Sequence, residues 1–274
     1  MATPDLDQSN ASFWDELCGT TFAEGHDIDG RTADALSRYD RKYLEFYPYL
    51  RQYIQPQALT GQRVLEIGLG YGTIGQQIAA AGATYIGVDL ADGPVKMMIH
   101  RLRMLGAPPR VIRCSAHSLP FASATFDRVV SIGCLHHTGR LEQSVAEVYR
   151  VLRPGGAAVV MVYNTFSYRQ WLRSPFRTLN AFLNQTTRGP AEQRATERQR
   201  KQYDVNTKGV AAPETVFVSN RRVRELFRNY SRVTIRCENC DDVIPGGTAL
   251  SLRRRLLRSL GRHAGLDLYV TAQK

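Results

Sequence analysis

Between residues 60 and 165 the chain alternates between two hydrophobic rhythms. Short apolar runs rich in β-branched residues read as strands: "RVLEI" (63–67), "TYIGVDL" (84–90), "RVIRCS" (110–115), "FDRVVSIG" (126–133) and "AAVVMVY" (157–163). Helical patterns separate them. "PVKMMIHRLRML" places Pro94 in a first turn, where its missing N–H costs nothing. "RLEQSVAEVYRVL" puts Leu141, Val145, Val148 and Leu152 on one face and is expected to stop at Pro154-Gly155-Gly156. Two further strands, "RVTIRCEN" and "DLYVTAQ", lie near the C-terminus. The alternation predicts an α/β chain with a doubly wound, mostly parallel sheet of seven strands, right-handed crossovers and helices on both faces. Such sheets bind ligands in the crevice at the carboxyl ends of their strands.

Two segments fall outside this rhythm. Residues 1–60 are aromatic and helical in pattern, as in "YDRKYLEFYPYLRQYI", and are expected to form an N-terminal helical cap. Residues 61–274 are then one Rossmann-like domain, with an insertion at about 164–220 between strands five and six. The insertion starts apolar and basic, "FSYRQWLRSPFRTLNAFL", and continues highly charged, "RGPAEQRATERQRKQYD". Both segments are expected to cover the crevice, the charged part with some mobility.

The longest apolar run is far shorter than the ~20 residues that span a bilayer, so no transmembrane segment is expected. The N-terminus has early acids and no apolar signal core, which predicts a cytoplasmic protein. Five cysteines at uneven spacing suggest reduced thiols; Cys237-x-x-Cys240 lacks the second pair that a structural zinc site wants, so no metal is expected. The net charge of +11 is uneven. Residues 1–140 hold 13 Lys and Arg against 14 Asp and Glu, whereas residues 141–274 hold 23 against 11. The basic C-terminal half admits an anionic partner such as nucleic acid or a membrane surface, or is simply a solvated face.

The candidate chemistry begins at "VLEIGLGYGTIG", where Gly68, Gly70 and Gly72 follow the first strand. A dinucleotide site wants G-x-G-x-x-G, but the sixth position here is Thr73; a phosphate loop wants Gly-Lys-Ser/Thr, which is absent. Glu66, two residues before the first glycine, repels a pyrophosphate and suits a ligand with a positive end. Asp89, ending the second strand, can accept two hydrogen bonds from ribose hydroxyls.

These pieces together resemble the class I S-adenosylmethionine-dependent methyltransferases. "VLEIGLGYG", "YIGVDL", "SAHSLPFASATFD", "VVSIGCLHHT" and "VLRPGG" occur in family order over roughly Leu59 to Val162. "FWDELCGT" also resembles a bacterial subgroup. The resemblance implies S-adenosyl-L-methionine as cofactor. Gly68 and Gly70 would let the backbone approach it, with Glu66 orienting the loop. Asp89 would hold the ribose, and Leu90 would pack on the adenine. Ala116 would reach a ring nitrogen, with Ser115 or His117 toward the adenine amino group; the family often has Asp where Ser115 stands. Ile132 and Gly133 would offer backbone oxygens to the ammonium. Of the N-terminal tyrosines, most serving packing, Tyr43 is the one expected to touch the ligand, because aromatic faces attract a sulfonium.

Methyl transfer from a sulfonium needs alignment above all, and a base only where the acceptor keeps its proton. His136 and His137 are candidates for that base or for shaping the pocket, and Tyr163 and Asn164 for orienting the acceptor. A small-molecule acceptor is expected; RNA and a non-catalytic cofactor-binding role are the alternatives. The mixed apolar and basic stretches, "FSYRQWLRSPFRTLNAFL" and "LRRRLLRSLGR", are expected to pack their apolar sides on the domain, with peripheral membrane contact as the alternative. The sequence leaves the oligomeric state open.

Overall fold

The computed structural model describes residues 4–16, 18–185, 189–190, 192–240 and 256–274. Its centre is the predicted parallel sheet. β1 (Arg63–Ile67), β2 (Thr84–Asp89), β3 (Val111–Arg113), β4 (Phe126–Ile132) and β5 (Leu152–Asn164) lie in the order β3-β2-β1-β4-β5, each pair parallel. Central strands covered on both faces cannot alternate polar with apolar. β1 accordingly buries Val64, Leu65, Glu66 and Ile67 in succession.

Helices α5 (Thr73–Ala80), α6 (Asp92–Met104) and α7 (Leu141–Val151) make the crossovers. α7 buries Leu141, Val145 and Val148 as the periodicity predicts, but ends at Val151. Leu152 is already extended and pairs with Phe126. Pro154 accounts for part of this, since a residue preceding proline is driven from the helical region. β5 therefore begins five residues before the predicted run and passes through the Pro-Gly-Gly.

Among the described residues the sheet has nine strands instead of seven. β8 (Arg232–Glu238) and β9 (Asp267–Gln273) are the predicted terminal pair, with β9 antiparallel to β5. The two additions come from the insertion: β6 (Glu192–Arg194) pairs with β7 (Val216–Val218), and β7 continues the sheet beside Tyr163 and Asn164. Three-residue strands carry too little periodicity to be read from sequence. The charged half of the insertion also forms α10 (Glu197–Arg200), begun by a capping box between Thr196 and Gln199.

The N-terminal segment contributes α1 (Pro4–Trp14), α2 (Thr20–Glu24) and α3 (Ala33–Phe46). Asp40 of α3 receives both guanidinium nitrogens of Arg101 in α6, at 2.9 and 3.0 Å, and the Thr73 hydroxyl at 2.6 Å. Arg101 is completely buried. This clamp ties α3 to the start of α5 and to α6, over the tips of β1 and β2.

Candidate active site

The crevice at the carboxyl ends of β1, β2, β4 and β5 is a cavity of about 360 Å³. One end is backbone. Gly68, Gly70 and Gly72 have φ of +83°, +49° and +80°, a region that side chains rarely adopt. A methyl group on Gly68 would overlap the Cys134 side chain, and Gly72 opens α5.

Asp89 lines this end. Its two carboxylate oxygens accept the backbone N–H groups of Leu69 (2.8 Å) and Ala91 (2.9 Å). Each oxygen keeps a lone pair for a ligand hydroxyl. Burial raises the Asp89 carboxyl above its usual range, and the two backbone donors oppose that rise. Leu90, Ser115, Ala116, Ile132 and Gly133 border the same space, along with Cys114.

Glu66 also lines the cavity, but it is 2% exposed and accepts a short hydrogen bond from the Tyr85 hydroxyl. Burial pushes its carboxyl up to about 8, although the Tyr85 bond pulls it down. The full negative charge inferred from sequence is therefore muted here. His117 is absent from the lining: its ring pairs with Asp7 of α1 at 3.1 Å, and it is Asp7 that faces the cavity.

A second set of lining residues is aromatic and acidic. Tyr39, Tyr43 and Tyr47 come from α3 and the residue that follows. Tyr39 stacks on Tyr71 of the glycine loop with centroids 4.0 Å apart. Tyr53 instead stacks on Tyr269 and donates to Glu238, outside the lining. Asn164 also turns away, bonding the Gly265 carbonyl at 2.9 Å.

The two histidines separate. His136 is wholly buried and lies outside the cavity wall, against the Tyr163 ring at 4.2 Å. Burial holds its pKa well below the usual value, which suits the pocket-shaping alternative better than the base. His137 is on the wall. Its Nδ1 donates to the Glu214 carbonyl at 2.7 Å, which fixes the direction of Nε2. That Nε2 points at Asp204, 3.7 Å from Oδ2. The other oxygen, Oδ1, accepts the Tyr163 hydroxyl at 3.0 Å. Burial raises the Asp204 carboxyl, while His137 and Tyr163 pull it down.

Asp204 was hidden from the sequence reading inside the run "RQRKQYD". Phe13, Trp14 and Cys18 line the cavity too. Their signal was the "FWDELCGT" resemblance: the Trp14 ring lies 4.9 Å from the His137 ring. Among the described residues no cluster of His, Cys, Asp and Glu has metal-holding geometry, and Cys240 is buried beside Tyr269 in the core.

A doubly wound sheet, a backbone cradle of glycines and an acid at the tip of the second strand are the arrangement on which α/β domains commonly hold a nucleoside. These groups would fit a sulfonium nucleoside, with glycine backbone available to the sugar, Asp89 to its hydroxyls and tyrosine faces to a positive charge. Residues 65–160 match the family described as a methyltransferase domain. An uncharacterized methyltransferase of Mycobacterium marinum is 37% identical over 120 residues, 44% of each chain. A ubiquinone biosynthesis O-methyltransferase of Rhizobium etli is 30% identical over 40% of this chain and 44% of its own. The chain thus spans less than half the length of these curated relatives. A solved S-adenosylmethionine-dependent methyltransferase of Mesorhizobium loti shares the fold, with a TM-score of 0.54 and 19% identity over 84% of this chain and 98% of the other. Residues 65–160 thus match a methyltransferase domain, and the chain shares its fold with solved S-adenosylmethionine-dependent methyltransferases.

Proposed function

We propose that this protein transfers a methyl group to a protic oxygen or nitrogen of a small molecule held in the cavity beside Asp204. One observation carries the reading: a glycine cradle and a Tyr163–Asp204–His137 array line a single cavity. When bound, the cofactor supplies a methyl group on a positively charged sulfur. Gly68, Gly70 and Gly72 would lie along its backbone side. Asp89 would accept the ribose hydroxyls, Leu90, Ser115 and Ala116 would flank the adenine, and Ile132 and Gly133 would meet the amino-acid end. Tyr43 would turn its face to the sulfonium.

On the acceptor side, Asp204 takes the proton. Its carboxyl is raised by burial, toward the range where a base works best near neutrality. Tyr163 steadies one oxygen and orients the acceptor; His137 steadies the other from behind. Helices α1 and α3, which line the cavity, would help to keep water from the reacting groups. The ubiquinone name of one relative supports a hydroxylated ring as the first acceptor class to test.

The test is calorimetry with S-adenosyl-L-methionine and its demethylated product, followed by turnover on hydroxylated quinols, aromatic amines and RNA. Cofactor binding with a methylated quinol or amine product is the expected result. Methylation confined to RNA would overturn the acceptor assignment, and absence of cofactor binding would overturn the whole reading.

A further inference from the structure

α8 (Tyr168–Arg173) and α9 (Pro175–Asn184), the apolar start of the insertion, pack opposite to expectation. A surface helix ordinarily buries its large apolar side chains and shows small or polar ones to water. α9 buries Thr178 and Ala181. It exposes Phe176 at 87%, Leu183 at 59%, Phe182 at 48% and Leu179 at 46%, and neighbouring Leu172 of α8 is 76% exposed. Large exposed apolar residues elsewhere among the described residues are Met104, Leu105, Ile112 and Val210, scattered over other elements. The α8–α9 residues are contiguous. The rings of Phe166, Trp171 and Phe182 lie within 6.5 Å of one another. A patch of this kind marks a docking surface.

The charges around it select the partner. From Asn164 to Ala191 the sequence contains arginines and no acid. Arg173 and Arg177 stand exposed beside the apolar side chains. Exposed Leu and Phe with a Trp at the edge and flanking arginines are the features of a helix lying in the headgroup layer of an anionic bilayer. A second copy fits less well, because a two-fold contact through this face would bring its arginines against themselves. The face also adjoins the cavity: Arg169, two residues before Trp171, is a lining residue, with its guanidinium 4.5 Å from the Tyr203 ring centroid.

We infer that the α8–α9 face docks this protein on anionic lipid membranes, with the wall of the cavity against the bilayer. The inference stands apart from the methyl-transfer reading, since docking is measured without turnover. Among the described residues no helix is long and apolar enough to cross a membrane, so the contact is peripheral.

The test is sedimentation with vesicles of mixed phosphatidylglycerol and phosphatidylcholine, and with phosphatidylcholine alone. The wild-type chain pellets with the anionic vesicles, and added salt weakens the binding. Leu172→Ser with Phe176→Ser lowers vesicle affinity roughly ten-fold or more. These positions are exposed, so thermal melting of the variant stays unchanged, which separates lost docking from lost folding. Arg173→Gln lowers affinity roughly five-fold on anionic vesicles and leaves phosphatidylcholine unaffected. Failure to pellet with anionic vesicles overturns the inference, as does equal pelleting by the Leu172/Phe176 variant. So does a concentration-dependent dimer that the same two substitutions dissolve, because the face would then belong to a second copy.

Discussion

His137 and Asp204, far apart in sequence, face each other across the cavity wall with Nε2 3.7 Å from Oδ2. The distance suits an ionic pair and exceeds a direct hydrogen bond. The predicted consequence is a division of labour. Asp204→Asn keeps an acceptor for the Tyr163 hydroxyl but cannot take a proton, and kcat should fall about 10²–10⁴-fold, the usual worth of general base catalysis. His137→Gln should retain more activity. Because His137 pulls the Asp204 carboxyl down, its removal should move the rising limb of the pH–rate profile to higher pH. An unchanged limb would exclude the coupling.

Asp89 gives a prediction on binding alone. Asp89→Ala removes the acceptor for two backbone N–H groups and for the ribose hydroxyls. The expected loss of cofactor affinity is about 1–3 kcal/mol, the cost of unpairing buried polar contacts. Calorimetric titration reads it directly, and wild-type affinity in the variant would displace the ribose from this site.

Glu66 should make stability depend on pH. Its carboxyl titrates at about 8 in the folded chain, against a usual value of 4.5. Between those values the folded state holds a proton that the unfolded state has lost. Stability is therefore fully present below pH 4.5 and declines as pH rises toward 8, by up to about 5 kcal/mol at ~1.4 kcal/mol per unit. Glu66→Gln keeps an acceptor for Tyr85 and removes the titration. Melting curves at both ends of the window should show the wild-type chain losing ground to the variant; parallel pH dependence in the two proteins would refute the assignment.

The Asp40–Arg101 clamp should matter chiefly to folding. Asp40→Ala leaves a completely buried guanidinium without its carboxylate, which costs about 3–5 kcal/mol. Replacing both partners with apolar residues should recover most of that loss. Denaturant unfolding of the single and double variants measures the difference.

Much of the fold and the glycine end of the cavity was legible in the sequence. The five parallel strands announce themselves through unbroken apolar runs, because a strand covered on both faces has no polar side to show. The glycine loop and Asp89 are legible because their geometry is local: a left-handed backbone after a strand needs glycine, and a strand-end acid sits where the next helix begins. Only tertiary structure could decide the side of the cavity around His137 and Asp204. His136 and His137 are adjacent in sequence, yet one is sealed in the core and the other lines the cavity. Asp204 reaches His137 from a charged stretch of the insertion, and α9 turns its phenylalanines outward because Thr178 and Ala181 fill the space beneath it. Periodicity identifies which residues share a face. Which way the face turns, and which distant side chain meets it, is set by packing between elements remote in the chain, and no local pattern encodes that.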